Sequence, residues 1–144
     1  MDKNHKDIEI YSTYRDIEYI VFAYKNSGHR CGYIRLPKYS KYFGLKYDDI
    51  DLSCHGGLTF GEIEKGEHWI GFDCGHSGDG IDKSFADIRV IAIYEKLNGT
   101  FGTTLHVWKK NEVENECKEM INDLWEKDEN MKIEVAKKMR EILS

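Results

Sequence analysis

The dipeptide Lys65-Gly66 stands between two strand-like runs, LTFGEI (58–63) and HWIGFDC (68–74). Glycine enters the left-handed backbone region without steric cost, so the pair reads as the two-residue turn of a β-hairpin. Once the turn is placed, register is arithmetic: Glu64 faces Glu67, and directly opposed residues have numbers summing to 131. His55 then falls opposite His76, where Gly56, Gly57, Gly75 and Gly78 interrupt regular strand. Opposed Cβ atoms lie about 5 Å apart, close enough for two imidazoles to reach one ion. A slip of one residue would turn every side chain to the other face, so the whole arrangement hangs on this turn.

Acids surround the meeting point. Asp73, His76 and Asp79 form a D-x-x-H-x-x-D turn, and glycine-rich backbone lets neighbouring ligands converge. In regular strand Asp73 and Cys74 point to opposite faces, so one of the two joins the imidazoles. The expected ligand set is His55, Asp73, His76 and Asp79, with Cys74 as the alternate to Asp73. Glu116 is a second alternate, a carboxylate on a downstream helix. Imidazole with carboxylate suits zinc ahead of manganese or iron, and a thiolate would favour zinc further. The spacing H-x17-D-x-x-H-x-x-D is not a standard zinc signature, and the same residues also serve as turn formers bonded to backbone. His68, near the hairpin tip, is expected to face solvent; His5, His29 and His106 have no companions at ligand spacing.

The rest of the chain supplies a scaffold. Residues 8–36 read as strands, with IEYIVFAYK (17–25) and RCGYIRL (30–36) forming a hairpin across NSGH, and Pro37 ends the second strand because it has no N–H to donate. KYSKYFGLKYDDID is a loop with one short helical turn, its tyrosines expected to cover the sheet edge, or else to face a partner. Residues 85–97 fit a helix with Phe85, Ile88 and Ala92 on one face, or a buried strand; helix is preferred. Residues 99–108 read as a turn followed by strand or irregular chain. Asn111 and Glu114 form a capping-box variant, opening a helix whose face is Val113, Cys117, Met120, Ile121 and Leu124. A last helix over 130–143 places Val135, Met139 and Ile142 on a stripe expected to dock on the sheet, with an exposed partner-binding helix as the alternative. The pattern is a single α+β domain over 1–144, an antiparallel sheet of hairpins with C-terminal helices packed on it, stapled by a metal site.

Composition narrows the function classes. With 40% hydrophobic and 12% aromatic residues the chain is globular rather than disordered. A net charge of −5 argues against direct nucleic-acid binding and suits a protein partner with a basic surface. No apolar run approaches the roughly 18 residues of a membrane span, and MDKNHKDIEI lacks the apolar stretch of a signal peptide, so a cytoplasmic address is expected. In that reducing compartment the four cysteines are free thiols or metal ligands. The chain has no Walker-type phosphate loop and no assembled Ser-His-Asp signature.

HGGLTF (55–60) and WIGFDCGHSGD (69–79), preceded by GHRCGYIRLP (28–37) and followed by EVENECKEMINDL (112–124), together resemble a group of small phage and prophage proteins. The resemblance covers most of 17–125, and 128–144 is a helical extension beyond it. It implies an anti-defence role: an anti-CRISPR protein that binds a Cas9-type nuclease in the infected or lysogenic host and blocks its engagement of nucleic acid, its metal being structural. The alternative is a metal-dependent hydrolase, or a sequestering protein, acting on a phosphate ester or nucleotide signal, with Asp79 or Glu116 as base.

Overall fold

The computed structural model describes residues 1–76, 78–101 and 105–144. Five strands form one antiparallel sheet: β1 (Ile8–Tyr14), β2 (Ile17–Tyr24), β3 (His29–Leu36), β4 (Phe60–Glu64) and β5 (Glu67–Asp73), in the spatial order β1-β2-β3-β5-β4. The β4–β5 hairpin turns at Lys65-Gly66, both at positive φ (52° and 77°), and its pairs from Glu64↔Glu67 to Phe60↔Gly71 all sum to 131. The central strands β2, β3 and β5 are rich in β-branched and aromatic residues and buried on both faces, while β1 and β4 are exposed edges.

Alternation along the central strands sorts the core into two layers. Ile17, Tyr19, Val21, Ile34, Leu36, Ile70, Phe72 and Cys74 meet the helix α2 (Lys110–Lys127). Ile20, Phe22, Cys31, Tyr33 and Trp69 form a smaller cluster on the other face, covered by Met1, Ile8 and Phe60. Val113, Cys117, Met120, Ile121 and Leu124 are all fully buried, the face the helical spacing predicts. Gly32 makes the close approach possible, since a Cβ there would lie 2.6 Å from the Phe72 ring and 2.7 Å from Cys117 Sγ. The cap sits two residues earlier than expected. Lys109 occupies it, and Glu112 rather than Glu114 accepts from the backbone N–H of the cap residue, at 3.0 Å.

Residues 85–97 divide between a turn and the helix α1 (Ile88–Phe101), with Ile88 80% exposed rather than on an inward face. Two short strands, β6 (Asp79–Gly80) and β7 (His106–Val107), pair in parallel beside the main sheet. Of the predicted 99–108 segment, 102–104 lie outside the described residues. The loop after Pro37 carries the expected helical turn, at Tyr47–Asp49.

The last helix, α3 (Glu129–Leu143), departs from expectation. Met131 is buried, but Val135, Met139 and Ile142 are 40%, 52% and 75% exposed, so the stripe does not dock on the sheet. The cause is the single residue between α2 and α3. Asp128, fully buried, takes extended torsions (φ −100°, ψ 96°) that break the helix, and its carboxylate accepts from Ser40 Oγ (2.6 Å), Lys41 N (3.1 Å) and Asn130 N (3.1 Å). Those bonds hold the kink and send α3 off the sheet.

A buried guanidinium ties the sheet to the segments beyond it. Arg30 donates to Glu9 (2.6 Å), to Asp82 (2.8 Å) and to the Trp108 carbonyl (2.9 Å), with Phe85 packed against its plane. Burial alone would raise the Asp82 carboxyl, but hydrogen bonds from Ser84 and Arg30 outweigh it and hold it at about 2. A carboxylate depressed in this way contributes stability above its unfolded pKa near 4, lost as pH falls toward 2. Urea denaturation should therefore show wild type losing about 2 kcal/mol more than Asp82→Asn between pH 4 and pH 2.

Candidate metal centre

The site forms where the β4–β5 hairpin opens. The ladder ends at Phe60, yet a hydrogen bond from Thr59 N to the Gly71 carbonyl (2.9 Å) keeps the preceding loop beside β5. Gly56 and Gly57, at φ +69° and +82°, then curl the chain so that His55 turns back toward the loop after β5. Gly56 also has a packing reason to lack a side chain: a Cβ there would lie 2.4 Å from the His76 ring. The two imidazoles meet edge to face, with centroids 5.5 Å apart and planes at 84°.

Asp79 is the hub. Only 8% exposed, its carboxylate contacts His55 Nε2 at 2.9 and 3.1 Å and accepts from His76 N at 3.0 Å and Trp108 Nε1 at 2.9 Å. A carboxylate only accepts, so His55 Nε2 carries the proton in this arrangement. Burial works to raise the Asp79 carboxyl, but hydrogen bonds from His55 and His76 N prevail and lower it below the ordinary range. Trp108 contributes twice, since its ring also stacks on His55 at 4.2 Å. The short β6–β7 pairing and the Arg30 bond to its carbonyl bring Trp108 there.

His76 Nδ1 is buried and has no hydrogen-bond partner among the described residues. It stands 3.6 Å from Asp79 Oδ2 and 3.6 Å from Asp73 Oδ1, too far to bond either. Zinc ligands at about 2.1 Å in a tetrahedron are separated by about 3.4 Å, so these gaps have the size of a coordination edge rather than of a hydrogen bond. One ligand atom each from His55, His76 and Asp79 lies within 4.8 Å of the other two, and this group could hold a metal ion.

Three of the six proposed ligands stand outside this group. Asp73 flanks the three-residue group: its Oδ1 accepts from Gly75 N (2.9 Å) and its Oδ2 from Thr59 Oγ1 (3.1 Å). Cys74 points the other way, into the core beneath α2, as strand alternation requires, and is 1% exposed. Burial drives its thiol far up, away from the thiolate a metal needs. Glu116 lines a groove of about 440 Å³ with Ser53, Cys54, Glu119, Asn122, Asp123 and Glu126, outside the cluster.

Of the other histidines, His68 differs from expectation and His29 stays outside the three-residue group, as expected. His68 is 1% exposed rather than solvent-facing: its Nδ1 accepts from Gly44 N (3.0 Å), Phe43 packs edge-on against it, and burial lowers its pKa. The loop after Pro37 folds over β5 and buries it, a long-range contact that hairpin position does not reveal. His29, set aside for want of spaced companions, lies beside the site, where the charges of Asp79, Asp73 and His76 reach it and burial lowers its pKa. The signal that finds it is the β3–β5 register, which links segments distant in sequence.

Compared with protein-family models, curated proteins and solved structures, the chain matches none.

The two loop glycines separate backbone strain from site geometry. Nothing lies within 4 Å of a Cβ added at Gly57, so Gly57→Ala is expected to cost only the strain of a left-handed alanine, about 1 kcal/mol in urea denaturation. Gly56→Ala should cost about 2 kcal/mol more, because it also displaces His76, and should shift the His76 ring resonances in NMR spectra where Gly57→Ala leaves them in place.

Proposed function

We propose that this is a zinc-binding phage protein, cytoplasmic in the host, that binds a bacterial defence protein of the Cas9 type and blocks its access to nucleic acid. One observation carries the metal half: the unpartnered His76 Nδ1 held between two carboxylates at 3.6 Å, with His55 and Asp79 alongside. A bound ion would take the place of the proton between His55 Nε2 and Asp79, and would satisfy His76 Nδ1 in the same step. Two imidazoles and a carboxylate favour zinc over manganese; the same set also accepts ferrous iron, which elemental analysis distinguishes. The role assigned to the ion is structural, joining the loop that carries His55 to the turn that carries His76 and Asp79.

Charge and resemblance support the partner half. Glu116, Glu119, Asp123 and Glu126 follow one another on a single face of α2, at intervals of three and four residues, hence about 5 Å apart along the axis. Such a row, on a chain of net charge −5, is a line of negative charge of the kind that a basic nucleic-acid channel accepts. Direct nucleic-acid binding is disfavoured by the same charge. No helix among the described residues is long and apolar enough to cross a membrane.

A hydrolase is the second reading, favoured by three ligands where a fourth position can hold water and by the exposure of the His55 and His76 side chains, 25% and 34%. One set of measurements separates the readings. Purified protein should contain one zinc per chain, and free zinc at about 100 times its Kd should raise the Tm by about 5–10 °C over chelator-treated protein. Inhibition of Cas9 cleavage in vitro should disappear with the metal. An unchanged melting curve after chelation would remove the metal, full Cas9 activity beside loaded protein would remove that target, and turnover of a phosphodiester lost in Asp79→Asn would install the hydrolase.

A further inference from the structure

The opposed residues of β3 and β5, from Cys31↔Asp73 to Leu36↔His68, have numbers summing to 104. A hydrogen bond from Cys74 N to the Arg30 carbonyl (2.9 Å) carries this register one step past the last pair. The next opposed position sets His29 against Gly75. Side chains alternate along a strand and opposed ones share a face, so His29 stands on the face of Asp73, with a residue lacking any side chain between them.

That gap is open. A Cβ on Gly75 would lie 3.3 Å from His29 Nδ1 and 3.3 Å from Asp73 Oδ1, so the imidazole and the carboxylate look at each other across bare backbone. Gly75 is not among the positive-φ glycines, so backbone conformation gives no reason for glycine there. The His29 ring makes no hydrogen bond among the described residues; its backbone N–H bonds Ser27 Oγ at 3.4 Å. Asp73 is already engaged at both oxygens, by Gly75 N and Thr59 Oγ1.

We propose that His29 is the fourth protein ligand of the metal centre, completing a set of three imidazoles and one carboxylate with His55, His76 and Asp79. The inference rests on the metal-binding reading above. His29 stands outside the three-residue cluster, and rotation of its ring over Gly75 is the movement that brings it in. Asp73 then acts as a neighbouring charge: with Asp79 as ligand and Asp73 beside it, the two positive charges of the ion are balanced without a second carboxylate in the shell. The ion would join three segments, the start of β3, the loop before β4 and the turn after β5, and its four protein donors would leave no place for a reactive water.

Cobalt(II) tests this directly, because its visible absorption is intense in a four-coordinate site and weak when water raises the coordination number. Wild-type protein is expected to bind one cobalt with intense bands. His29→Ala should bind at least about 10-fold more weakly, with the bands weakened. Gly75→Ala, which removes no donor, should weaken binding as well by filling the gap. Melting curves of both variants without metal should match wild type, which separates ligand loss from misfolding. If His29→Ala keeps wild-type affinity and spectrum, His29 is not a ligand, and their loss in Asp73→Asn would give the position to Asp73. If wild-type protein binds no cobalt or zinc at all, the metal-binding reading itself fails, and this inference with it.

Discussion

β5 is hydrogen-bonded on both sides, and its two registers decide where every side chain of interest arrives. Pairing with β4 sums to 131 and delivers His55 to His76; pairing with β3 sums to 104 and sets His29 over Gly75. Parity does the rest, sending Asp73 to one face and Cys74 into the core under α2. A one-residue slip of β5 against β3 would exchange those roles and bury a carboxylate under the helix, a cost of several kcal/mol for an unpaired charge. The burial of Ile70, Phe72 and Trp69 therefore protects the site as well as the core.

At the open end of the hairpin Cys54 and Leu58 pack against the core on either side of the site, and polar contacts hold the residues between them. His55 and Gly56 carry no hydrophobic anchor of their own, so the loop is held by Asp79 and the Trp108 ring. A buried carboxylate accepting from an imidazole, an indole and a backbone amide is well satisfied, whereas His76 Nδ1 is not. The imbalance is what distinguishes this cluster from an ordinary buried turn: a finished hydrogen-bond network would have no such orphan.

Local signals in the chain were sufficient for the α+β class, the strands, the Lys65-Gly66 register, the buried face of α2 and the meeting of His55 with His76, because each depends on turn chemistry or on short-range periodicity. What they missed depends on distant contacts. His68 is buried by a loop some 24 residues away, through the Gly44 bond. The apolar stripe of α3 has the spacing of a docked helix, and only the three bonds to Asp128 reveal that the helix leaves the sheet. That His29 lies beside the site was also hidden, because its neighbours come from β5, whose pairing with β3 no local pattern states.

The candidate metal site and the acidic face are adjacent in the chain as well as in space. Ser53 and Cys54, which form one wall of the groove opposite Glu116 and Glu119, immediately precede His55. Ser53 N donates to Asp123 at 2.9 Å, in the middle of the acidic row, and burial, with Glu116 nearby, pushes the Cys54 thiol up to about 12, so it packs as a neutral wall. Two residues cannot move independently of a third to which they are bonded. An ion gripping His55 would thus fix the wall of the groove against the row of carboxylates on α2, while a loose His55 would leave that wall to the Ser53 bond to Asp123. An ion bound there, as proposed above, would therefore act on the groove before it acts on the core, whose strands and α2 stand on their own burial.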